Sequence, residues 1–263
     1  MKKIIYKISF VLSLVLAVSS CDFDTELKQN VDTADAFNKV QDVSNGTIGA
    51  YQALAYYPFL GNYAIAFGDF AGGLANGSSS TGHFYYVSNW AVADTDEEIE
   101  GIWQYGFKVV DAAVRTINGA NALLEANPDM SDDNKATVNY NISQCYALRA
   151  LAYFTMTQYF CYPYSAGADK KGLPIIKDQP VAAFQNATRA SLGDTYSFIL
   201  EDIEKALQYN ELAGSPSPQY FYLNKAAIYA LKARVCMHMG NYTDAEEAAK
   251  KAISIKGKGN GTY

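Results

Sequence analysis

Apolar residues recur at helical spacing through most of the chain, and the places where that spacing fails divide it into segments. From Thr33 to about Tyr57, the residues Phe37, Val40, Val43, Ile48, Tyr51 and Leu54 predict a helix opened by a Thr or Asp cap and weakened by Gly46 and Gly49. From Pro58 to Val92 the period is lost among glycines, serines and aromatics. It returns at Thr95, which with Glu98 reads as a capping box. Ile99, Trp103, Gly106, Val110, Val114, Ile117 and Leu124 then form one stripe, and Asn127-Pro128 ends it.

Ser131 and two aspartates open a further helix to about Cys161, with Val138, Ile142, Cys145, Ala152, Met156 and Phe160 on one face. Residues 162–190, with Pro163, Gly167, Gly172, Pro174 and Pro180, read as a second loop. Ser191 with Asp194 caps the next helix, striped by Tyr196, Ile199, Leu200, Ile203, Ala206 and Leu207. A Pro/Ser linker, Gly214 to Pro218, leads to a closing pair of helices, about Asn224–Met239 and Thr243–Ile255. Gly240, Tyr242, Ala245, Ala249, Ala252 and Ile253 have the spacing of a tetratricopeptide repeat, in which small residues let two antiparallel helices approach. The pattern predicts an all-α fold: a helical bundle built on tetratricopeptide-like pairs, with long irregular loops. One repeat is a packing unit and does not by itself make a peptide groove.

The start of the chain is of another kind. Lys2, Lys3 and Lys7 precede an 11-residue apolar run, Ile8 to Val18, too short for the roughly 20 residues of a membrane-spanning helix. Residues 1–20 read as a secretory signal, leaving 21–263 as one helical domain with its repeat at 224–256. Val18-Ser19-Ser20-Cys21 resembles a bacterial lipobox, which makes Cys21 the expected lipid anchor. Each buried acyl CH₂ contributes about 0.8 kcal/mol, so several chains tether firmly where one does not. Acidic Asp22, Asp24 and Glu26 follow, resembling a surface-export tag.

Removing the signal takes away three lysines and no acid, leaving 18 basic against 27 acidic groups, a net of −9. Nucleic acid is therefore not an expected partner. Cys145, Cys161 and Cys236 are an odd number, and 16 helical steps of about 1.5 Å set the first two roughly 24 Å apart, beyond the roughly 7 Å that a disulfide spans. All three are expected as buried small hydrophobes. His83 and His238 have no second ligand at metal spacing, and no nucleophile elbow, phosphate loop or dinucleotide fingerprint occurs. The acid pairs Glu97/Glu98, Glu201/Asp202 and Glu246/Glu247 read as solvated faces. The chain is expected to be no enzyme and to use no cofactor or metal. Two carboxylates meeting across a cleft, as in a glycosidase, would alter that.

Taken in order, the lipoprotein start, Gly49-Ala50-Tyr51-Gln52-Ala53-Leu54, the Asp69 segment, Trp103-Gln104-Tyr105 and Asn118 to Asn121 resemble SusD/RagB-family lipoproteins. So do Leu148-Arg149-Ala150-Leu151-Ala152-Tyr153-Phe154, Leu173-Pro174, the Tyr196–Leu207 helix and the closing repeat. The resemblance implies an outer-membrane, lipid-anchored protein facing the exterior, which captures nutrients, most often glycans, beside a SusC-like TonB-dependent transporter. Family members are about twice this long, so the likeness is to their N-terminal part, and the C-terminal half that supplies part of their ligand face is expected to be absent. Arg149, near the apolar stripe, is expected to be satisfied by backbone carbonyls or a neighbouring acid.

The segment from Phe67 to Trp90 carries the ligand expectation. A loop of this length is usually functional or disordered, and Phe67, Phe70, Phe84, Tyr85, Tyr86 and Trp90 argue against disorder. A sugar offers apolar C–H faces and polar rims, which suit flat aromatic rings beside carboxylates and amides. Trp90 is the expected platform, since Trp103 already sits on a helical stripe, with Tyr85, Tyr86, Asp69 and Asn89 beside it. If these aromatics were instead buried on the helices, a tetratricopeptide-type surface scaffold without a small ligand would be the better reading.

Overall fold

A computed structural model describes residues 36–179, 187–214 and 221–256, which from Phe37 onward belong to one compact unit. The signal segment, Cys21, the acidic residues after it, Thr33, Pro180 and Ser215 to Pro218 lie outside the described residues. Eight α-helices occur in the described part: α1 (Val40–Leu54), α2 (Tyr63–Ala71), α3 (Tyr85–Ser88), α4 (Glu97–Ala126), α5 (Asp132–Phe160), α6 (Leu192–Leu212), α7 (Lys225–Met239) and α8 (Tyr242–Lys256). The fold is all-α, as expected.

Several helix ends are set by the residues that the sequence offered. The Ser131 hydroxyl accepts the Asn134 N–H, Ser191 accepts that of Asp194, and the Asn224 side chain accepts that of Ala227. Each satisfies an N–H that the helix itself leaves without a partner. At the end of α7, Gly240 takes φ 77°, its N–H donates to the Met237 carbonyl and the Asn241 N–H reaches back to Cys236. This double bond pattern ends a helix through a left-handed residue, the position that glycine fills without strain.

α5 lies at the centre, packed against α1, α4 and α6; α7 rests on α6, and α8 on α7. Its expected single apolar face is corrected, because residues 141–150 and 152–157 are buried all round. Central placement makes its polar residues find partners inside the protein. Ser143 donates to the Ala206 carbonyl at 2.7 Å. The Tyr51 hydroxyl donates to Gln144 at 2.5 Å and accepts the Leu223 N–H at 2.8 Å, which fixes the entry to α7.

Arg149 meets the expectation made for it. Its guanidinium donates twice to Asp202, both at 2.7 Å, and once to the Lys177 carbonyl at 2.6 Å. Tyr153, one turn on, donates to the Pro174 carbonyl and accepts the Ile176 N–H, both at 2.8 Å. Residues 173–177 are thus strapped over α5 by two side chains of the Leu-Arg-Ala-x-x-Tyr-Phe motif.

Other readings change. Asp202 is 0% exposed, so the Glu201/Asp202 pair is not a solvated face; only Glu201 lies outward, between Lys177 and Lys205. The Thr95/Glu98 capping box does not form: Asp96 precedes α4, and its carboxylate accepts the Ala93 N–H. Cys145 and Cys236 are buried, whereas Cys161 is half-buried with its Sγ 3.7 Å from Arg189. Gly46 does more than weaken α1, since a Cβ there would meet Thr116 and the Phe37 ring, so its absence permits α1 and α4 to approach closely. In α8, Ala245 is buried against α7, but Tyr242 and Ile253 are exposed.

Candidate functional site

The segment expected to be irregular from Pro58 to Val92 contains a π-turn, Tyr57–Gly61, and the helices α2 and α3. The period of α2 is hidden because YAIAFGDFA is apolar nearly all round and interrupted by Gly68. Tertiary contacts hold it instead: Tyr63 and Ala64 are buried, and Phe67 and Phe70 pack on the core.

Three rings form the base of the site. Phe84 stacks on Phe70 at 4.4 Å and 2° and meets the edge of Tyr63 at 5.6 Å. Tyr63 donates its hydroxyl to Glu97 at 2.9 Å, and burial followed by this bond pushes its phenol well above the ordinary range. Phe84 is buried at φ 54°, a left-handed conformation rare for a bulky residue. Its N–H donates to the Glu98 carboxylate at 2.8 Å, with His83 Nδ1 at 3.9 Å from the same oxygen. Glu98 is only 7% exposed, which corrects its reading as a solvated acid. Nothing in the local pattern marks it, because its partner lies outside its own helix.

The turn built on that base carries four of the five expected ligand residues. Tyr85 and Tyr86 meet edge to face at 5.4 Å, and the Asn89 amide donates to the Tyr85 carbonyl at 2.7 Å. Asp69 is exposed on α2, a separate element joined to the turn through the Phe70–Phe84 stack. Phe67 and Phe70 are packing residues, with Phe67 edge-on to Tyr159. Trp103 packs against Phe107 and Phe160, in keeping with its place on the helical stripe.

Trp90 is different. It is 80% exposed and sits at φ 54°, while neighbouring Tyr86 is 53% exposed. Its N–H donates to Val87 and the Ala91 N–H reaches back to Tyr86, the same pair of bonds that Gly240 makes at the end of α7. One terminus thus has glycine and the other a tryptophan with a left-handed backbone and an open ring. A left-handed L-residue costs roughly 1–2 kcal/mol, which no packing of the Trp90 ring offsets. Trp90→Gly should therefore raise stability by about 1 kcal/mol, measured as a higher urea midpoint at unchanged slope. A lower midpoint would show that the indole supports the fold.

Among the described residues, no group of three or more His, Cys, Asp or Glu side chains is gathered to hold a metal, and no helix is long and apolar enough to cross a membrane. The arrangement is that of a helical scaffold presenting an exposed aromatic turn. Residues 24–237 match the SusD-like family described as "starch-binding associating with outer membrane", and the chain belongs to that family. The fold is similar to that of a SusD superfamily protein from Bacteroides vulgatus, with 23% identity and a TM-score of 0.72 over 86% of this chain and 50% of that one. A SusD superfamily protein from Bacteroides thetaiotaomicron gives 22% and 0.68 over 86% and 48%. A SusD-like carbohydrate binding protein from Bacteroides vulgatus gives 15% and 0.67 over 83% and 45%. No curated protein matches the chain. The chain spans about half the length of the solved structures it matches.

Proposed function

We propose that this chain binds glycan without altering it and hands it to a SusC-like TonB-dependent transporter at the outer membrane. The observation that carries this reading is Trp90, whose own left-handed backbone packs its ring against nothing and leaves an open indole face beside exposed Tyr86. An exposed flat ring offers the apolar face of a pyranose a surface to displace water from, and the adjoining Tyr86 hydroxyl and Asn89 and Asp69 side chains suit its rim. The family description, starch-binding, favours an α-glucan. Native electrophoresis through amylopectin tests it: the protein should be retarded relative to a ligand-free gel, with the polysaccharide recovered at unchanged chain length. Equal mobility in amylopectin, pullulan and xylan gels would end the glycan reading.

A second reading, a surface scaffold for protein partners, draws on exposed Met237, Tyr242 and Ile253 in the closing helix pair. It forecasts no retardation in any polysaccharide gel.

The anchor is a proposal from the lipobox at Cys21. Because acyl chains supply the membrane affinity, Cys21→Ala should abolish palmitate labelling and release the protein from the membrane fraction with its helical circular dichroism intact. Labelling that survives the substitution would refute the assignment.

A further inference from the structure

We propose that Glu98, through its bond to Phe84, is the positioning residue that holds the Trp90 turn in its presenting conformation. Residues 76–92 are closed mainly on themselves: the Gly77 N–H donates to the Ser88 hydroxyl, Ser88 donates to the Phe84 carbonyl, and Trp90 and Ala91 bond back into α3. Among the described residues, the Phe84 N–H to Glu98 is the single hydrogen bond that ties this stretch to the helical frame. It is a short bond to a carboxylate, in a place from which water is nearly excluded, and such bonds are roughly twice as strong as neutral ones. Glu98 stands in the first turn of α4, where the helix dipole favours a negative charge.

The position of the bond fixes what it controls. It holds Phe84 in its left-handed conformation just before α3, and the platform itself, Tyr86 to Trp90, begins two residues later. Apart from His83 Nδ1, 3.9 Å from the same Glu98 oxygen, the remaining ties are apolar: Phe84 against Phe70 and Tyr63, and buried Val87. Ring contacts resist separation but permit sliding and rotation, whereas the hydrogen bond to Glu98 sets direction. Without it, the turn keeps its attachment and loses its aim.

The binding arm of the test rests on the glycan reading; the positional arm does not. The chain has two tryptophans, so 5-fluorotryptophan labelling gives two fluorine resonances, assigned with Trp90→Phe. Glu98→Ala should shift or broaden the Trp90 resonance and leave that of Trp103 in place. In the same variant, affinity for amylopectin should fall about tenfold. Glu98→Gln keeps a carbonyl oxygen for the Phe84 N–H and should restore both. The proposal is overturned if Glu98→Ala leaves the Trp90 resonance unmoved, if both resonances move together, or if Glu98→Gln restores neither. Should the Trp90 resonance respond as stated while no form of the protein is retarded by amylopectin, positioning stands and the glycan reading fails.

Discussion

Asp202→Ala should lower stability by about 3–5 kcal/mol, read as a fall in urea midpoint, because it strands the Arg149 guanidinium inside the protein. Asp202 is 0% exposed and takes both of its short hydrogen bonds from Arg149, which is itself buried on the central helix. Burial pushes the Asp202 carboxyl up, and the guanidinium opposes it with two hydrogen bonds and its charge. For Arg149, burial acts against the charge and the same contact more than restores it. Each ion is therefore tolerable only with the other present. The backbone carbonyls of Ile176 and Lys177 lose their donor in Arg149→Ala, which would also loosen the strap over α5. Replacing both ions by apolar residues, Arg149→Met with Asp202→Leu, should recover most of the loss, since two desolvation penalties disappear together. A single Asp202→Ala change costing under about 1 kcal/mol would show that water reaches the pair.

Trp90→Ala should abolish retention in an amylopectin gel while leaving the thermal midpoint within about 2 °C of the parent. The asymmetry follows from where the ring is. At 80% exposure it contributes little to the core, and an alanine in its place inherits the same left-handed backbone, so folding loses almost nothing. Binding loses a flat apolar face, and removing a central aromatic anchor from an interface commonly costs about 2 kcal/mol or more, roughly thirtyfold in Kd. Tyr86→Ala should weaken retention less, because Tyr86 offers a smaller and less exposed ring. Intact retention by Trp90→Ala would remove the turn from the binding surface. Lost retention accompanied by a large fall in midpoint would show that the indole packs against the protein in solution.

Much of this protein was legible along the chain. Ser131, Ser191, Asn224 and Gly240 end or begin helices through contacts within about four residues, so a local pattern carries the whole signal. Arg149 was readable for a related reason: a charged residue on an apolar stripe has to be paired, whatever its partner is. The exposed tryptophan was separable from the core one because Trp103 keeps a helical period and Trp90 does not.

Tertiary structure decided the rest, and the reason is sequence distance. Asp202 and Glu98 look like members of solvated acid pairs until partners 53 and 14 residues away bury them. α5 reads as having one apolar face, but α1, α4 and α6 close around it, so polar residues that local pattern assigns to solvent become internal partners. α2 has too little period to stand out and is helical because the core accepts Tyr63, Phe67 and Phe70. Sequence alone determined the long helices with a clear apolar period and showed that Arg149 had to be paired. Only the packing of those segments decided which acids lose their water, because burial is a property of what surrounds a residue in space rather than of its neighbours in the chain.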